Sequence, residues 1–175
     1  NVMDWAANSK LIRKGLHKTG LRTLGHDTLI WIREDGSHHS RITFPNYFSM
    51  NYKIPNPSFS FGLFDAEGNY FGGWEELSKP DGSIIVDSQD LVQKFGLQLP
   101  FEGNLSAEVE HQDLFPRSYL RCNVDYYQTG GYITTVHDQV RFIHFPDRDA
   151  HTVVHVIESP ASETGIVVRN GYRYK

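Results

Sequence analysis

Residues 104–144 read NLSAEVEHQDLFPRSYLRCNVDYYQTGGYITTVHDQVRFIH and hold the clearest two-residue alternation in the chain. Alternation of apolar and polar residues is the period of a β-strand with one buried face. In the middle of this stretch, the residues that share the apolar face are Leu120, Cys122, Val124 and Tyr126. The stretch therefore predicts a fold built from β-strands.

A turn and a return strand follow this predicted strand. Gln128–Gly131 contains two glycines, which adopt positive φ without steric cost. Tyr132–His137 is rich in aromatic and β-branched residues, as strands are. Leu105–His111 also alternates, so we predict three adjacent strands, with His111 and His137 at strand ends.

Outside this stretch, short alternating segments recur with turn residues between them. Asp35-Gly36 predicts a hairpin, and Asp65–Asn69 predicts a second turn. The further segments predicted as strands are Thr28–Glu34, Ser40–Phe44, Phe48–Ile54, Ser58–Phe64, Tyr70–Glu76, Ser83–Val86, Thr152–Ile157 and Ile166–Arg169. Within Ser58–Phe64, the side chains of Phe59, Phe61 and Leu63 are expected to face the core.

Two helices are predicted among these strands. One begins after Asp4 and runs from Trp5 to Lys18, and the other is capped by Asp87 or Ser88 and ended by Gly96. Many short strands with few helices predict an all-β fold, an antiparallel β-sandwich of the immunoglobulin-like or jelly-roll kind with a short N-terminal helix. We expect residues 1–27 to form a helical arm and residues 28–175 to form a single sandwich domain.

The composition is that of an ordinary soluble globular protein, with 39% hydrophobic and 22% charged residues in 175. A net charge of −4 argues against general binding to nucleic acid or to an anionic membrane surface. No apolar run reaches the length of a membrane span.

Cys122 is the sole cysteine, which excludes an intramolecular disulfide and slightly favours a cytoplasmic location. On an apolar strand face, its thiol is expected to be buried and inert. The sequence is compatible with an oligomer.

Aromatic residues are the first candidates for a binding site. A flat platform of rings suits a sugar or a peptide, because ring faces are apolar while Tyr and Trp edges still form hydrogen bonds. The residues selected for this role are Trp31, Trp74, Tyr127 and Tyr132, from a wider set that includes Tyr70. The leading prediction is a non-catalytic module that binds a protein or a carbohydrate.

Histidines support an alternative prediction. The chain has nine, several of them near predicted strand ends. Imidazole and carboxylate groups that converge in the fold bind transition metals, and such a metal would be the cofactor of a metal-dependent enzyme. The residues selected as metal ligands are His111, His137, Asp138, His144 and His155. Neighbouring residues such as His137 and Asp138 point to opposite faces of a regular strand, so a metal site requires convergence over long range.

A resemblance to a known family lies in the order of strands and turns. The segments FSMNYKIPNPSFSFGLFDAEGN, KPDGSIIVDSQDL and EGNLSAEVEH resemble the immunoglobulin-like sandwich of sensory-rhodopsin-transducer-type domains, from about Tyr47 to His137. The resemblance implies a non-enzymatic interaction module. It implies no functional residue, because antiparallel sandwiches share such patterns without shared sites.

Overall fold

The computed structural model describes residues 25–114, 118–131 and 133–138, and for residues 118, 119, 137 and 138 it describes the backbone alone. The chain divides into two units, Asn1–Arg141 and Phe142–Lys175, and every described residue belongs to the first. The predicted N-terminal helix and the strands predicted beyond residue 138 lie outside the described residues. The domain boundaries therefore stay predictions, although β1 begins at Gly25, within the predicted arm.

Strands dominate the described residues, and the two helices among them are short. The strands are β1 (Gly25–Glu34), β2 (His38–Pro45), β3 (Ser58–Asp65), β4 (Tyr70–Leu77), β5 (Ser83–Asp87), β6 (Phe101–Glu110), β7 (Ser118–Tyr119), β8 (Cys122–Gln128) and β9 (Ile133–Asp138). The helices are α1 (Tyr47–Tyr52) and α2 (Ser88–Phe95). The predicted all-β class is confirmed, and no helix in this part of the chain is long and apolar enough to cross a membrane.

The strands form two sheets. The first has five strands in the order β4-β3-β6-β1-β7, and the second has four in the order β5-β2-β8-β9. Every pairing is antiparallel except that of β1 with the short strand β7. The predicted hairpin of β8 and β9 is confirmed, but β6 lies in the other sheet, so the expectation of three adjacent strands is wrong.

Both sheets contribute to one hydrophobic core. The ring of Phe44 on β2 lies 5.8 Å from that of Phe59 and 5.4 Å from that of Phe61, both on β3. Phe59, Phe61 and Leu63 are buried, as the alternation predicts. Cys122 is also buried in this core, which confirms the prediction of a buried thiol.

The Asp35-Gly36 turn connects the two sheets instead of closing a hairpin. β1 pairs with β6, whereas β2 pairs with β5 and β8. Locally the turn is as predicted: Gly36 has a φ of 85°, and the Asp35 carboxylate accepts from the backbone N–H groups of Ser37 and His38. The bond from the His38 backbone N–H contributes most to holding the pKa of Asp35 below its ordinary value. The turn residues therefore determine the bend of the chain. They do not determine which strands β1 and β2 pair with.

The segment predicted as the strand Phe48–Ile54 is helix α1, so this prediction is wrong. The Asn46 side chain caps the helix by accepting from the backbone N–H of Ser49, and Lys53 ends it in the left-handed conformation with a φ of 57°. Phe48 is buried, while Met50 is 81% exposed, so the apparent alternation does not mark a buried face. The pattern is too short to distinguish one helical turn and a half from a strand.

Helix α2 is confirmed by its caps. Asp87 accepts from the backbone N–H of Gln89 at the N-terminus, and Gly96 ends the helix with a φ of 62°. These are the capping residues that the sequence predicts.

Phe61 provides a test of the core. We expect Phe61→Ala to lower the free energy of unfolding by about 3–5 kcal/mol, because the substitution removes a ring packed between Phe44 and Trp74. Urea denaturation gives the measurement. Leu77→Ala is the control, since Leu77 is 67% exposed and its truncation should change the midpoint little. Equal effects of the two substitutions would contradict the assignment of Phe61 to the core.

A buried histidine lies at the start of β1. His26 is 5% exposed, its Nδ1 lies 2.8 Å from the Tyr47 hydroxyl, and the rings of Phe48 and Tyr52 each lie 5.5 Å from its own. Burial, aided by the positive charge of Arg121, lowers the pKa of His26 to about 4. The imidazole is therefore neutral in the folded protein at pH 7.

The lowered pKa of His26 predicts that the folded protein loses stability in acid. As pH falls below the ordinary histidine value of 6.5, the unfolded chain binds a proton that folded His26 does not, so stability is lost until the pH reaches about 4. From pH 7.5 to pH 4.5 we expect His26 to account for a loss of roughly 2–3 kcal/mol. His26→Asn should remove this part of the pH dependence in urea denaturation. An unchanged difference between the two pH values would show that His26 is not its source.

Candidate functional site

The candidate site is a row of side chains that crosses four strands of the five-stranded sheet. Trp31 on β1 pairs with Asn104 on β6, Asn104 pairs with Phe64 on β3, and Phe64 pairs with Tyr70 on β4. Directly paired residues point to the same side of a sheet. We call these four residues the cross-strand row.

The cross-strand row lies on the face of the sheet that points away from the core. Its strand neighbours Ile30, Ile32, Leu63 and Leu105 are all fully buried. Because side chains alternate along a strand, residues of the row point outward. Tyr70 is 63% exposed, and Trp31, Phe64 and Asn104 are half-buried.

Two glycines allow the ring of Tyr70 to lie close to the sheet. A Cβ atom placed on Gly62 would come within 3.5 Å of the Tyr70 ring, and one on Gly73 would lie 2.6 Å from its hydroxyl oxygen. The Tyr70 and Phe64 rings are 5.3 Å apart. Glycine at these two positions therefore lets the Tyr70 ring lie against the sheet. Larger side chains there would displace Tyr70.

The other two members of the row differ in their surroundings. Trp31 packs against Tyr126 at 5.4 Å, and its backbone carbonyl accepts a hydrogen bond from the Tyr126 hydroxyl. Asn104 lies between Trp31 and Phe64, and its Oδ1 is buried with no hydrogen-bond partner among the described residues. The row thus has aromatic rings at both ends and a half-buried amide between them.

A β-bulge sets the end of the row. Between Leu63 and Phe64 the register shifts, so that Leu63 pairs with Gly72 and Phe64 with Tyr70. Phe71 is the extra residue, and its ring contacts that of Phe101, a core residue. The bulge therefore separates two adjacent aromatic residues, of which Tyr70 belongs to the row and Phe71 does not.

Apart from the cross-strand row, a group of polar side chains is buried where the two sheets meet. His39 and Glu34 are 2% and 3% exposed, and the His39 Nδ1 lies 2.8 Å from the Glu34 Oε2. The same Nδ1 atom also lies 3.1 Å from the side-chain nitrogen of Gln89. The Nε2 atom lies 2.7 Å from the Thr129 hydroxyl. The Ser88 hydroxyl and the Gly36 backbone N–H also donate to Glu34, at 2.7 and 2.9 Å.

This buried network joins elements that are distant in sequence. It connects β1, the first residues of β2, the N-terminus of α2 and the turn after β8. Its donors and acceptors satisfy each other, which is what buried polar groups require. The network therefore fixes the junction of the sheets, and its hydrogen bonds account for the burial of His39.

Tyr127 lies beside this network on β8. Its ring is 4.9 Å from that of His39, and the Arg41 guanidinium lies 5.2 Å from its centre. The Tyr127 hydroxyl donates to Asp87 at 3.1 Å, and burial together with the Asp87 carboxylate raises the pKa of Tyr127. Its surroundings explain a structural role.

The other aromatic residues selected from the sequence are separated. Trp74 stacks on Phe61 at 4.7 Å, and the Lys94 ammonium group lies 4.1 Å from its ring centre, so its ring is engaged by neighbours within the chain. Tyr132 lies outside the described residues. Of the selected aromatic residues, Trp31 alone belongs to the cross-strand row.

The selected metal ligands are not brought together in the described part of the chain. The His111 Nδ1 lies 3.7 Å from Asp113, and no group of three or more metal-binding side chains occurs among the described residues. The side chains of His137 and Asp138, and all of His144 and His155, lie outside what the structure describes. The metal site therefore stays a prediction.

Sequence reasoning missed Phe64 and Asn104. The alternation that points Phe59, Phe61 and Leu63 inward also points Phe64 outward, and this was the available signal. Asn104 gives no such signal, because its position depends on which strands β6 pairs with. The same holds for the partnership of Glu34 with His39.

Comparison with known proteins gives no match: no family model, no curated protein and no solved structure matches the chain. The resemblance to transducer-type sandwich domains stays a prediction, and the first of its segments includes helix α1 in place of a strand.

The two adjacent histidines test the buried network. His39→Ala leaves the buried Glu34 carboxylate without its main partner, and we expect a loss of about 3–5 kcal/mol in the free energy of unfolding. His38→Ala is the matched control: its side chain is 50% exposed and bonds to Asp35 in the turn, so a loss below about 1 kcal/mol is expected. Similar losses in urea denaturation would show that the network contributes nothing specific.

Proposed function

We propose that the two sheets form a β-sandwich and that this sandwich is a non-catalytic carbohydrate-binding module. The sandwich arrangement is supported by the contacts of Phe44 on one sheet with Phe59 and Phe61 on the other. The observation that carries the function is the cross-strand row on the outward face of the five-stranded sheet.

The chemistry of the row suits a sugar. One face of a sugar ring carries C–H groups and is apolar, so it packs on the flat face of an aromatic side chain, while its hydroxyl groups need hydrogen-bonding partners at the rim. Tyr70 and Trp31 offer rings, the phenol and indole edges offer polar groups, and Asn104 offers an amide between them. Rings held by strand pairing are also preorganised, which lowers the entropic cost of binding.

The sequence predicts a protein as the alternative partner. A protein would bind to a different feature of the structure. β4 is the last strand of its sheet, and Phe71 and Leu77 on it are 48% and 67% exposed. An exposed edge strand pairs with an added strand through its backbone. The row is the stronger indication because it combines aromatic rings, close-lying glycines and a half-buried amide on one face of the sheet.

Tyr70 gives the test of this function. Wild-type protein is run in native gels that contain a soluble uncharged polysaccharide, with a β-glucan, a xylan and a mannan in separate gels, and retardation is measured. We expect at least one polysaccharide to retard the wild type and Tyr70→Ala to weaken that binding about tenfold, because an exposed stacking ring is removed.

Phe71→Ala is the matched control, since Phe71 is an adjacent, partly exposed aromatic residue outside the row. Its retardation should equal that of the wild type. If no polysaccharide retards the wild type, the carbohydrate function is wrong. If both substitutions weaken binding equally, the strand edge and not the row is the contact surface.

A further inference from the structure

We propose, on the basis of the proposed carbohydrate function, that the ligand is an uncharged, linear polysaccharide chain that lies across the strands along the cross-strand row. Two independent observations carry this inference. One is the direction and length of the row, and the other is the charge of the strands that form it.

The direction of the row follows from strand pairing. Trp31 and Tyr70 are at its ends on β1 and β4, and β6 and β3 lie between them. Adjacent strands are about 4.8 Å apart, so three steps span roughly 14 Å. A single sugar ring contacts one end of such a row, whereas a chain of several sugars contacts both aromatic ends and Asn104 together.

The order of aromatic and polar groups along the row also fits a ligand that lies across the strands. The aromatic groups are at the ends, and the half-buried amide of Asn104 is in the middle. Hydroxyl groups in the middle of a chain would be the natural partners for an amide. The end sugars would then pack on Trp31 and on Tyr70, which together fix the chain across the strands.

The charge of the outward face disfavours acidic polysaccharides. By strand alternation and pairing, Glu75, Glu102, Glu108 and Glu110 lie on the same face as the row, and the one cation that these four strands place there is Arg33. The Arg33 guanidinium already bonds to Asp35 at 2.8 Å and lies 3.8 Å from Glu102. A carboxylated or sulfated chain would meet these carboxylates, and among the described residues of the four strands the one cation, Arg33, is already paired.

The charge test compares three kinds of polymer in the same native gels. Uncharged polysaccharides are compared with polygalacturonate, which is acidic, and with chitosan, which is basic, at 50 and 500 mM NaCl. We expect retardation by an uncharged polymer that is equal at both salt concentrations, because no charges pair on binding. We expect none with polygalacturonate.

The length test uses oligosaccharides of one to six units prepared from the polymer that binds, with affinity measured by calorimetry. Affinity should rise about tenfold or more from the single sugar to the oligomers that reach both ends of the row. Tyr70→Ala and Trp31→Leu should each weaken binding of the longest oligomer. Trp31→Leu retains an apolar side chain against Tyr126, and urea denaturation checks that it folds.

The outcomes separate this inference from the proposed function. If polygalacturonate or chitosan alone binds, and Tyr70→Ala weakens that binding, the carbohydrate function stands and the uncharged ligand is wrong. If a single sugar binds as tightly as the longest oligomer, or if Trp31→Leu binds the longest oligomer as the wild type does, the cross-strand arrangement is wrong. If no polymer binds, both proposals fail.

Discussion

The register of β6 is the constraint on which the rest of the described structure depends. This strand pairs with β1 on one side and with β3 on the other, and both pairings involve its central residues. Leu105 is fully buried, and Asn104 beside it points outward. Because side chains alternate, a slip of one residue would move Leu105 to the outside and Asn104 into the core. Core packing therefore fixes the position of the outward residues as well, and the cross-strand row follows from the burial of its neighbours.

The junction of the two sheets imposes a second constraint of a different kind. The chain leaves β1 at Glu34 and enters β2 at His38, and between them it changes sheet. Such a corner buries polar groups, and here Glu34, His39 and Ser88 satisfy each other. The apolar core contains residues of both sheets, and this polar network lies where the chain passes from one sheet to the other. The two requirements are met by side chains on opposite faces of β2, since Ile42 points to the core and His39 does not.

Local features of the fold could be predicted from the sequence, and long-range features could not. The inward alternation of Phe59, Phe61 and Leu63, the caps of α2 and the turn before β9 each depend on a few neighbouring residues, and all are observed. The pairing of β1 with β6 depends on residues 67 to 85 positions apart, and no local pattern specifies it. For the same reason, two members of the cross-strand row were missed and Trp74 was selected although it packs on Phe61. Helix α1 shows the remaining limit, because six residues give too little periodicity to distinguish helix from strand.

The β-bulge in the pairing of β3 with β4 also affects how copies of the chain meet each other. β4 is an edge strand with several exposed apolar residues, and a regular strand of that kind is a template for aggregation. The extra residue Phe71 interrupts the hydrogen-bonding ladder and increases the local twist, while Glu75 and Glu76 place negative charge further along the same strand. A strand from another molecule would meet an irregular backbone at one end and like charges at the other. The irregularity that sets the position of Tyr70 thus also helps to keep an aromatic-rich edge from polymerising.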